Sequence, residues 1–289
     1  MRILVLGSGG MIGSAMFRVL GTYHEYKVWG SIRNKNCIEM FSINEIKNII
    51  FVEDLLKTYN INKILNEIKP QIVINCVGLT KHQPGSNDPR ISLPINALFP
   101  HELADLCSLI GARVIHISTD CVFSGLDGPY SEEAQLDAMD MYGKSKYLGE
   151  LNRENTITLR TSTVGHEFIT KHGLLEWFLS QKKICKGYAN AVFSGLTNIE
   201  FAKVVAEYVI PKEDMTGIYH VGGEKINKFD LLKLFAAVYE KNIDITRDDS
   251  FVINRSLISD KFKNLTGYKV SKWEDMVKDM RNHKTLNQY

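Results

Sequence analysis

The feature that most constrains the fold is the start of the chain, where the apolar run RILVLG (residues 2–7) leads directly into the glycine-rich loop GSGGMIG (7–13). Gly7, Gly10 and Gly13 recur there at three-residue spacing. Such glycines let the backbone turn tightly, approach a phosphate and pack the next helix closely, while the first amides of that helix donate to the phosphates. A glycine loop between a strand and a helix therefore predicts a dinucleotide-binding unit.

The first half of the chain alternates short apolar, β-branched runs with amphipathic helical patterns. Runs that are apolar on both faces and separated by helices are typical of a parallel sheet covered on both sides. We predict strands at residues 2–7, 26–32, 48–52, 71–78, 113–119 and 157–164, and helices at about 11–21, 54–68, 94–110 and 141–153. The pattern predicts an α/β fold with a doubly wound parallel sheet of the Rossmann type.

The pattern changes after about residue 164. We predict helices there around 173–182, 198–209, 228–240 and 272–281, with a short strand at 217–223. This divides the chain into an NADP-binding Rossmann domain over 1–165 and a smaller, mixed α/β and mainly substrate-binding region over 166–289. We expect residues 190–222 to pack back on the first domain. The polar end RNHKTLNQY (281–289) is predicted to be a frayed tail.

Charge and cysteine content exclude several classes of function. Lys and Arg number 35 against 33 Asp and Glu, a balance that gives no support for binding nucleic acid or an acidic membrane. The chain has no apolar run of 18 residues and no signal-peptide pattern at its start, so we expect a cytoplasmic protein without a membrane segment. Its five cysteines are scattered without a CxxC pair and its histidines lack ligand spacing, so no metal site is expected.

The residues after the second predicted strand select the cofactor. An acid there binds the 2′-hydroxyl of NAD, whereas basic residues accept the 2′-phosphate of NADP. The segment WGSIRNKN (29–36) supplies Ser31, Arg33, Asn34 and Lys35 and contains no acid. It favours NADP(H) and leaves NAD(H) open. Asp54, after the third strand, is placed either to contact adenine or to open the following helix.

Polar residues gather at the carboxyl end of the fifth predicted strand, where ligands bind in doubly wound folds. The segment ISTDCVF (117–123) brings Thr119 and Asp120 to this edge. Tyr142 opens the next predicted helix, with Lys146 four positions further on. Five of the twelve tyrosines have a lysine at that spacing, so the spacing alone decides nothing. Only the Tyr142 and Lys146 pair opens a helix just after a late strand of the sheet.

Several segments, in order along the chain, carry a family resemblance. Besides the glycine loop they are NCVG (75–78), STDCVFSG (118–125), GPYSEE (128–133), YGKSKYLGE (142–150) and LRTSTVGH (159–166). Together they resemble the extended short-chain dehydrogenase/reductase superfamily, and within it the dTDP-4-dehydrorhamnose reductase family. The resemblance implies NADPH-dependent reduction of the 4-keto group of a nucleotide-activated 6-deoxy-4-keto sugar, in nucleotide-sugar and surface polysaccharide biosynthesis.

The resemblance also implies roles for the matching residues. Tyr142 would donate a proton to the carbonyl oxygen, Lys146 would hold the nicotinamide ribose and lower the tyrosine pKa, and Thr119 would orient the substrate oxygen. The expected cofactor contacts are Gly7, Gly10, Met11, Ile12, Gly13, Ser31, Arg33, Asn34, Asp54, Leu55, Cys76, Gly78, Tyr142 and Lys146. The expected contacts with the nucleotide sugar are Lys81, Thr119, Asp120, Thr197 and Arg255.

Two departures from the family pattern leave the substrate and its chemistry open. Cys121 stands where many relatives carry tyrosine, and KHQPGSNDPR (81–90) lacks the family's usual acidic segment. A nucleotide-sugar epimerase or dehydratase of the same superfamily is one alternative, although dehydratases usually carry Asp-Glu after the catalytic threonine. A non-catalytic, NADP-binding regulatory subunit is the other, because the regulatory subunit of methionine adenosyltransferase resembles the same family. The family also implies a homodimer through the helix near 94–110 and the Tyr142 helix.

Overall fold

A seven-stranded sheet forms the centre of the protein in the computed structural model, which describes residues 1–167 and 172–286. The strands are β1 (Arg2–Leu6), β2 (Lys27–Ile32), β3 (Ile49–Phe51), β4 (Ile72–Asn75), β5 (Arg113–Thr119), β6 (Thr156–Thr161), β7 (Thr163–Val164), β8 (Ile184–Tyr188), β9 (Ala191–Phe193), β10 (Leu196–Thr197), β11 (Gly217–His220), β12 (Ile226–Asn227), β13 (Asp244–Asp248) and β14 (Ile253–Asn254). The central sheet has the order β11-β6-β5-β4-β1-β2-β3, and every neighbouring pair in it is parallel. The predicted doubly wound α/β fold is confirmed.

Helices cover both faces of this sheet. They are α1 (Met11–Leu20), α2 (Ile43–Ile46), α3 (Thr58–Ile68), α4 (Pro89–Leu93), α5 (Phe99–Leu109), α6 (Met141–Leu148), α7 (Leu174–Ser180), α8 (Asn198–Val204), α9 (Lys228–Val238), α10 (Asp260–Thr266) and α11 (Trp273–Leu286). Short 3₁₀ helices lie at Lys35–Met40 and Asp120–Val122, and π-helical turns lie at Pro94–Leu98 and Val205–Val209.

The alternation of side chains along β1 shows why its sequence is apolar at every position. Ile3 and Val5 pack into one core together with Phe17 of α1. Leu4 and Leu6 pack into the opposite core with α3 and α5. Because both faces are covered, the strand needs no polar side, and each buried aliphatic side chain stabilises the fold by about 1.5–3 kcal/mol.

Part of the second half returns to the central sheet. Strand β11 extends the sheet beside β6, and α8 packs against α1, where the Asn198 side-chain amide donates to the Met11 carbonyl at 3.1 Å. The other strands of this half form three small sheets, β10-β7, β12-β9-β14 and β13-β8. Strand β14 and the bridge between Tyr130 and Leu257 bring this half against the loop after β5. That the first half binds the cofactor and the second half mainly the substrate stays a prediction.

Helix α3 begins later than its predicted range of 54–68. The Asp54 carboxylate accepts a hydrogen bond from the Leu56 amide at 2.9 Å, which holds the chain in a local turn that competes with helix formation. The first helical residue is Thr58. Asp54 therefore lies in the loop after β3 and does not open the helix.

Helix α6 ends earlier than its predicted range of 141–153. Its last residue is Leu148, and Gly149 caps it. A Cβ atom at Gly149 would overlap the carbonyl oxygen of Asn96. Glycine is unfavourable inside a helix, and here it allows the end of α6 to pack directly on a neighbouring backbone before the chain turns into β6.

The predicted frayed tail at 281–289 is helical over much of its length. Helix α11 continues to Leu286, and residues 287–289 of the predicted tail lie outside the described residues. Within the described part of the chain, no helix is both long enough and apolar enough to span a membrane.

Candidate active site

The glycine loop folds back on itself between β1 and α1. Gly7 has a φ of +85°, in the region that favours glycine. A Cβ atom at Gly13 would overlap the Gly7 carbonyl oxygen. Within residues 1–167 and 172–286 no side chain caps α1, which begins at Met11 after Gly10. Because the first amides of a helix lack intrahelical partners, this loop, with Ile12 in the first turn, fits a pyrophosphate.

The carboxyl end of β2 lies beside this loop. The Gly7 amide donates to the Ser31 hydroxyl at 3.2 Å, and the Ser8 amide donates to the Ser31 carbonyl at 2.8 Å. Ser31 is only 1% exposed, so its hydroxyl braces the loop from within. Arg33 and Asn34 are exposed at the same edge, and the Asn34 side chain caps the following 3₁₀ helix. A contact of Arg33 with a 2′-phosphate stays a prediction.

The loops after β3 and β4 complete this edge. Asp54 and Leu55 are half-buried after β3. Cys76 touches the glycine loop, because a Cβ atom at Gly7 would lie 3.1 Å from the Cys76 carbonyl group. Gly78 follows in the same loop. The predicted cofactor residues from four strands are therefore brought to one edge of the sheet.

Asn96 ties the loop after β4 to α6. Its side-chain oxygen accepts from the Leu79 amide at 2.8 Å, and its side-chain nitrogen donates to the Leu79 carbonyl and to the Ser145 hydroxyl. Asn96 is 1% exposed. These bonds fix α6, and the tyrosine and lysine it carries, relative to the cofactor edge.

Gly143 allows α6 to approach the end of β5. A Cβ atom at this position would overlap the carbonyl oxygen of Cys121. The helix starts after Asp140, whose carboxylate accepts from the Gly143 amide at 2.7 Å. The residue directly after Tyr142 is therefore a glycine for a steric reason, since a side chain there would push α6 away from the end of β5.

Thr119, at the end of β5, lies close enough to Tyr142 to lower its pKa. The Thr119 hydroxyl also accepts from the Cys121 amide at 3.1 Å and donates to the Asp120 carboxylate at 3.2 Å. Burial, followed by the Cys121 thiol, raises the pKa of Tyr142 above its ordinary value, against a smaller lowering by Thr119. The direction is opposite to the lowering expected from Lys146. Tyr142 therefore keeps its proton at neutral pH, as a proton donor must.

Lys146 lies one helical turn after Tyr142 and is 5% exposed. Its Nζ atom donates to the Ile117 carbonyl at 2.7 Å and lies 3.4 Å from His116 Nε2. Burial lowers the pKa of Lys146 to about 8, although Glu150 and Cys76 act in the opposite direction. The amine thus faces both the end of β5 and the loop after β4.

Basic groups surround the candidate substrate side. The Arg255 guanidinium donates to the Phe123 carbonyl at 2.9 Å and lies 3.5 Å from the Cys121 sulfur. Burial lowers the pKa of Lys228, and the nearby charges that act on it are those of Asp120, Lys81, Cys121 and Arg255. Lys81 also lines a cavity of about 460 Å³ together with His82 and His172. Lys81, Lys228 and Arg255 therefore lie within electrostatic range of one another, an arrangement that favours an anionic ligand.

Thr197 is placed differently from the other predicted substrate residues. It is fully buried, and its hydroxyl caps α8 by accepting from the Glu200 amide at 3.2 Å. A substrate contact for Thr197 stays a prediction that this placement does not support. Among the described residues, no group of three His, Cys, Asp or Glu side chains could hold a metal ion.

Three residues that sequence reasoning passed over belong to this site: His116, Gly143 and Lys228. The sequence could have indicated His116, because it is the one histidine in the largely apolar strand RVIHIST. No local pattern indicates a role for Gly143 or Lys228, because the role of each depends on which distant segment of the chain packs against it.

A parallel sheet with a glycine loop after β1, and with Thr119, Tyr142 and Lys146 at its carboxyl edge, defines the extended short-chain dehydrogenase/reductase superfamily. The sequence matches the family described as RmlD substrate binding domain over residues 1–285. The chain belongs to this family.

Individual relatives cover the chain less completely. It is 29% identical over 151 residues to a dTDP-4-dehydrorhamnose reductase of Mycolicibacterium smegmatis, covering 52% of this chain and 40% of that protein. It is 26% identical over 149 residues to methionine adenosyltransferase 2 subunit beta of Bos taurus, covering 52% and 41%. The matched part is thus less than half of either relative. A solved dTDP-4-dehydrorhamnose reductase from Bacillus anthracis, in complex with NADP, has a similar fold, with a TM-score of 0.78, 19% identity and coverage of 98% and 99%.

Proposed function

We propose that the protein is an NADPH-dependent reductase that acts on the 4-keto group of a nucleotide-activated 6-deoxy sugar. The observation that supports this proposal is the close packing of the start of α6, which carries Tyr142, on the end of β5, which carries Thr119, at the edge that also holds the glycine loop. A keto reduction needs a proton donor and a hydride donor side by side. Bound NADPH supplies the hydride.

The residues of the chain would each act at a defined atom. Thr119 and Tyr142 hydrogen-bond the keto oxygen and hold it in place for reduction. Tyr142 passes its proton to that oxygen as negative charge develops there. Lys146, whose Nζ donates to the Ile117 carbonyl, would hold the nicotinamide ribose and, in its charged form, would stabilise the tyrosinate that forms. Lys228 and Arg255 favour the anionic part of the nucleotide sugar.

Arg33 is proposed to give the preference for NADPH over NADH. Replacement of Arg33 by alanine should weaken NADPH binding about tenfold and leave NADH binding nearly unchanged, because a charge-assisted contact with the 2′-phosphate is lost. Titration calorimetry with both cofactors measures this. Lys27→Ala, at the start of β2, the strand that ends just before Arg33, is the matched control and should change neither affinity. An equal loss for NADH and NADPH would contradict the role of Arg33.

A homodimer is proposed through α5 and α6. Apolar side chains stand exposed on and beside these helices, with Leu98 at 58%, Leu148 at 55% and Tyr147 at 46% exposure. Light scattering should give about twice the chain mass of 32.8 kDa. Leu148→Glu should shift the mass to that of one chain, whereas Leu126→Glu, which is outside these helices and 78% exposed, should not. A single-chain mass for the unmodified protein would refute the dimer.

Two other functions compete with this proposal. An epimerase or dehydratase is disfavoured because Cys121 replaces the second acid of the usual pair and because no acid follows β2. A regulatory subunit is favoured only by the similarity to methionine adenosyltransferase 2 subunit beta.

We also propose that the protein acts in the cytoplasm.

The absorbance of NADPH during incubation with a panel of 4-keto nucleotide sugars separates these functions. A reductase consumes NADPH in proportion to one of the sugars. Binding of NADPH without consumption by any member of the panel would favour the regulatory subunit. Turnover without net NADPH consumption would favour the epimerase or dehydratase.

A further inference from the structure

A buried chain of polar contacts joins β4 and β5 to the proposed catalytic lysine. Asn75 and His116 are partners in the register of these strands, and both are 0% exposed. Asn75 Nδ2 lies 3.1 Å from His116 Nδ1, and His116 Nε2 lies 3.4 Å from Lys146 Nζ. The reaction proposed above needs the lysine but does not by itself need this histidine.

The Val77 amide fixes the orientation of the Asn75 side chain. It donates to Asn75 Oδ1 at 3.1 Å. Because an amide N–H meets only an acceptor, the oxygen must face Val77, and the NH2 group must face His116. His116 Nδ1 is then an acceptor. Burial, with Lys146 adding to it, holds the pKa of His116 well below its ordinary value, so the ring is neutral and its one proton sits on Nε2.

The resulting Nε2–H group points at the Lys146 amine. An ammonium group has three donors and no lone pair, so it repels this N–H, whereas a neutral amine accepts from it. The Ile117 carbonyl accepts one N–H of the amine at 2.7 Å in either form. Glu150, just after α6, and Cys76 act in the opposite direction and favour the ammonium form.

We propose that Asn75 and His116 are positioning residues that fix an N–H donor against the Lys146 amine and so favour its neutral form. Burial acts in the same direction and lowers the pKa of Lys146 to about 8. An ordinary lysine, near 10.4, stays charged throughout the physiological range. With its lowered pKa, Lys146 changes charge close to the physiological pH range, at a lower pH than an ordinary lysine. Tyr142 in the same helix and His101 of α5, which acts on His116, are the other titratable groups around this contact.

The tautomer of His116 tests the first half of the proposal without any substrate. Protein labelled with 15N-histidine distinguishes the protonated ring nitrogen by its chemical shift, and His116→Gln assigns the signal. The expected result is a proton on Nε2 in the unmodified protein. A proton on Nδ1 would overturn the proposal, and this measurement alone decides it if the variants below do not fold.

The titration of Lys146 tests the second half. Protein labelled with 13C at lysine Cε reports the midpoint, and Lys146→Met assigns the signal. Asn75→Asp forces the proton of His116 onto Nδ1 and should raise the Lys146 midpoint by at least one pH unit. Asn75→Ala adds no charge and should raise it in the same direction. Ser194→Ala removes a buried hydrogen bond to the Leu257 carbonyl that involves neither His116 nor Lys146, and it should leave the tautomer and midpoint unchanged. A switched tautomer with an unmoved Lys146 midpoint would overturn the proposal.

The catalytic consequence rests on the proposed reductase function. If the reaction needs charged Lys146, activity falls as pH rises through about 8, and Asn75→Asp moves this fall to higher pH. Because both spectroscopic measurements need no turnover, failure of the His116 proposal and failure of the reductase proposal give different results.

Discussion

Tyr142→Phe is expected to lower kcat by about 100-fold or more while NADPH affinity stays within about twofold. Removal of the hydroxyl takes away the proton that the keto oxygen receives, and a positioned general acid contributes about 10²–10⁴-fold to the rate. The ring itself remains and still fills its place beside Thr119. Stopped-flow or steady-state loss of NADPH absorbance gives kcat, and fluorescence titration gives the affinity.

Tyr147→Phe is the matched control for this substitution. Tyr147 lies in the same helix, five positions on, and is 46% exposed. The same hydroxyl is removed there without touching Thr119, so turnover should be unchanged. Equal activity of Tyr142→Phe and the unmodified protein would remove Tyr142 from the mechanism.

Gly13→Ala is expected to weaken NADPH binding by at least about 30-fold, or roughly 2 kcal/mol. The added Cβ would overlap the Gly7 carbonyl oxygen, so either the loop or the start of α1 must move. The loop and the start of α1 together form the proposed phosphate site, so a shift of either one turns the first amides of α1 away from the phosphates. Calorimetric titration with NADPH measures the loss, and circular dichroism establishes that the variant is folded.

Gly111→Ala separates this effect from a general loss of stability. Gly111 has a φ of +67° and no atom within 4 Å of an added Cβ. The substitution should cost about 1 kcal/mol of stability through its backbone conformation alone, and NADPH affinity should not change. A folded Gly13→Ala protein that binds NADPH as tightly as the unmodified one would contradict the phosphate site.

The central sheet could be predicted because its signals are local. The apolar runs and the glycine loop are written in consecutive residues, and all six predicted strands of the first half are present. The ends of the helices could not be predicted in the same way, since they depend on particular contacts in the folded chain. Helix α3 starts at Thr58 because Asp54 holds a turn, and α6 ends at Leu148 where Gly149 meets a distant carbonyl.

The site was predictable only where order along the chain fixes position on the sheet. Thr119, Tyr142 and Lys146 reach one edge because parallel strands end there together. The contact between His116 and Lys146, and the approach of Lys228 to Asp120, join segments far apart in sequence, so no local pattern indicates them. The same holds for Ser31. Its position in β2 follows from the sequence, but the hydrogen bond that its hydroxyl accepts from the Gly7 amide does not.

Hydride transfer from labelled cofactor tests the reductase proposal most directly. NADPH carrying deuterium at C4 of the nicotinamide, with each of the two faces labelled separately, is incubated with 4-keto nucleotide sugars, and the product is examined by NMR. The account predicts that deuterium from one labelled form appears at C4 of the product sugar, and that Tyr142→Phe loses most of this transfer. Tight binding of NADPH with no deuterium in any product would contradict it.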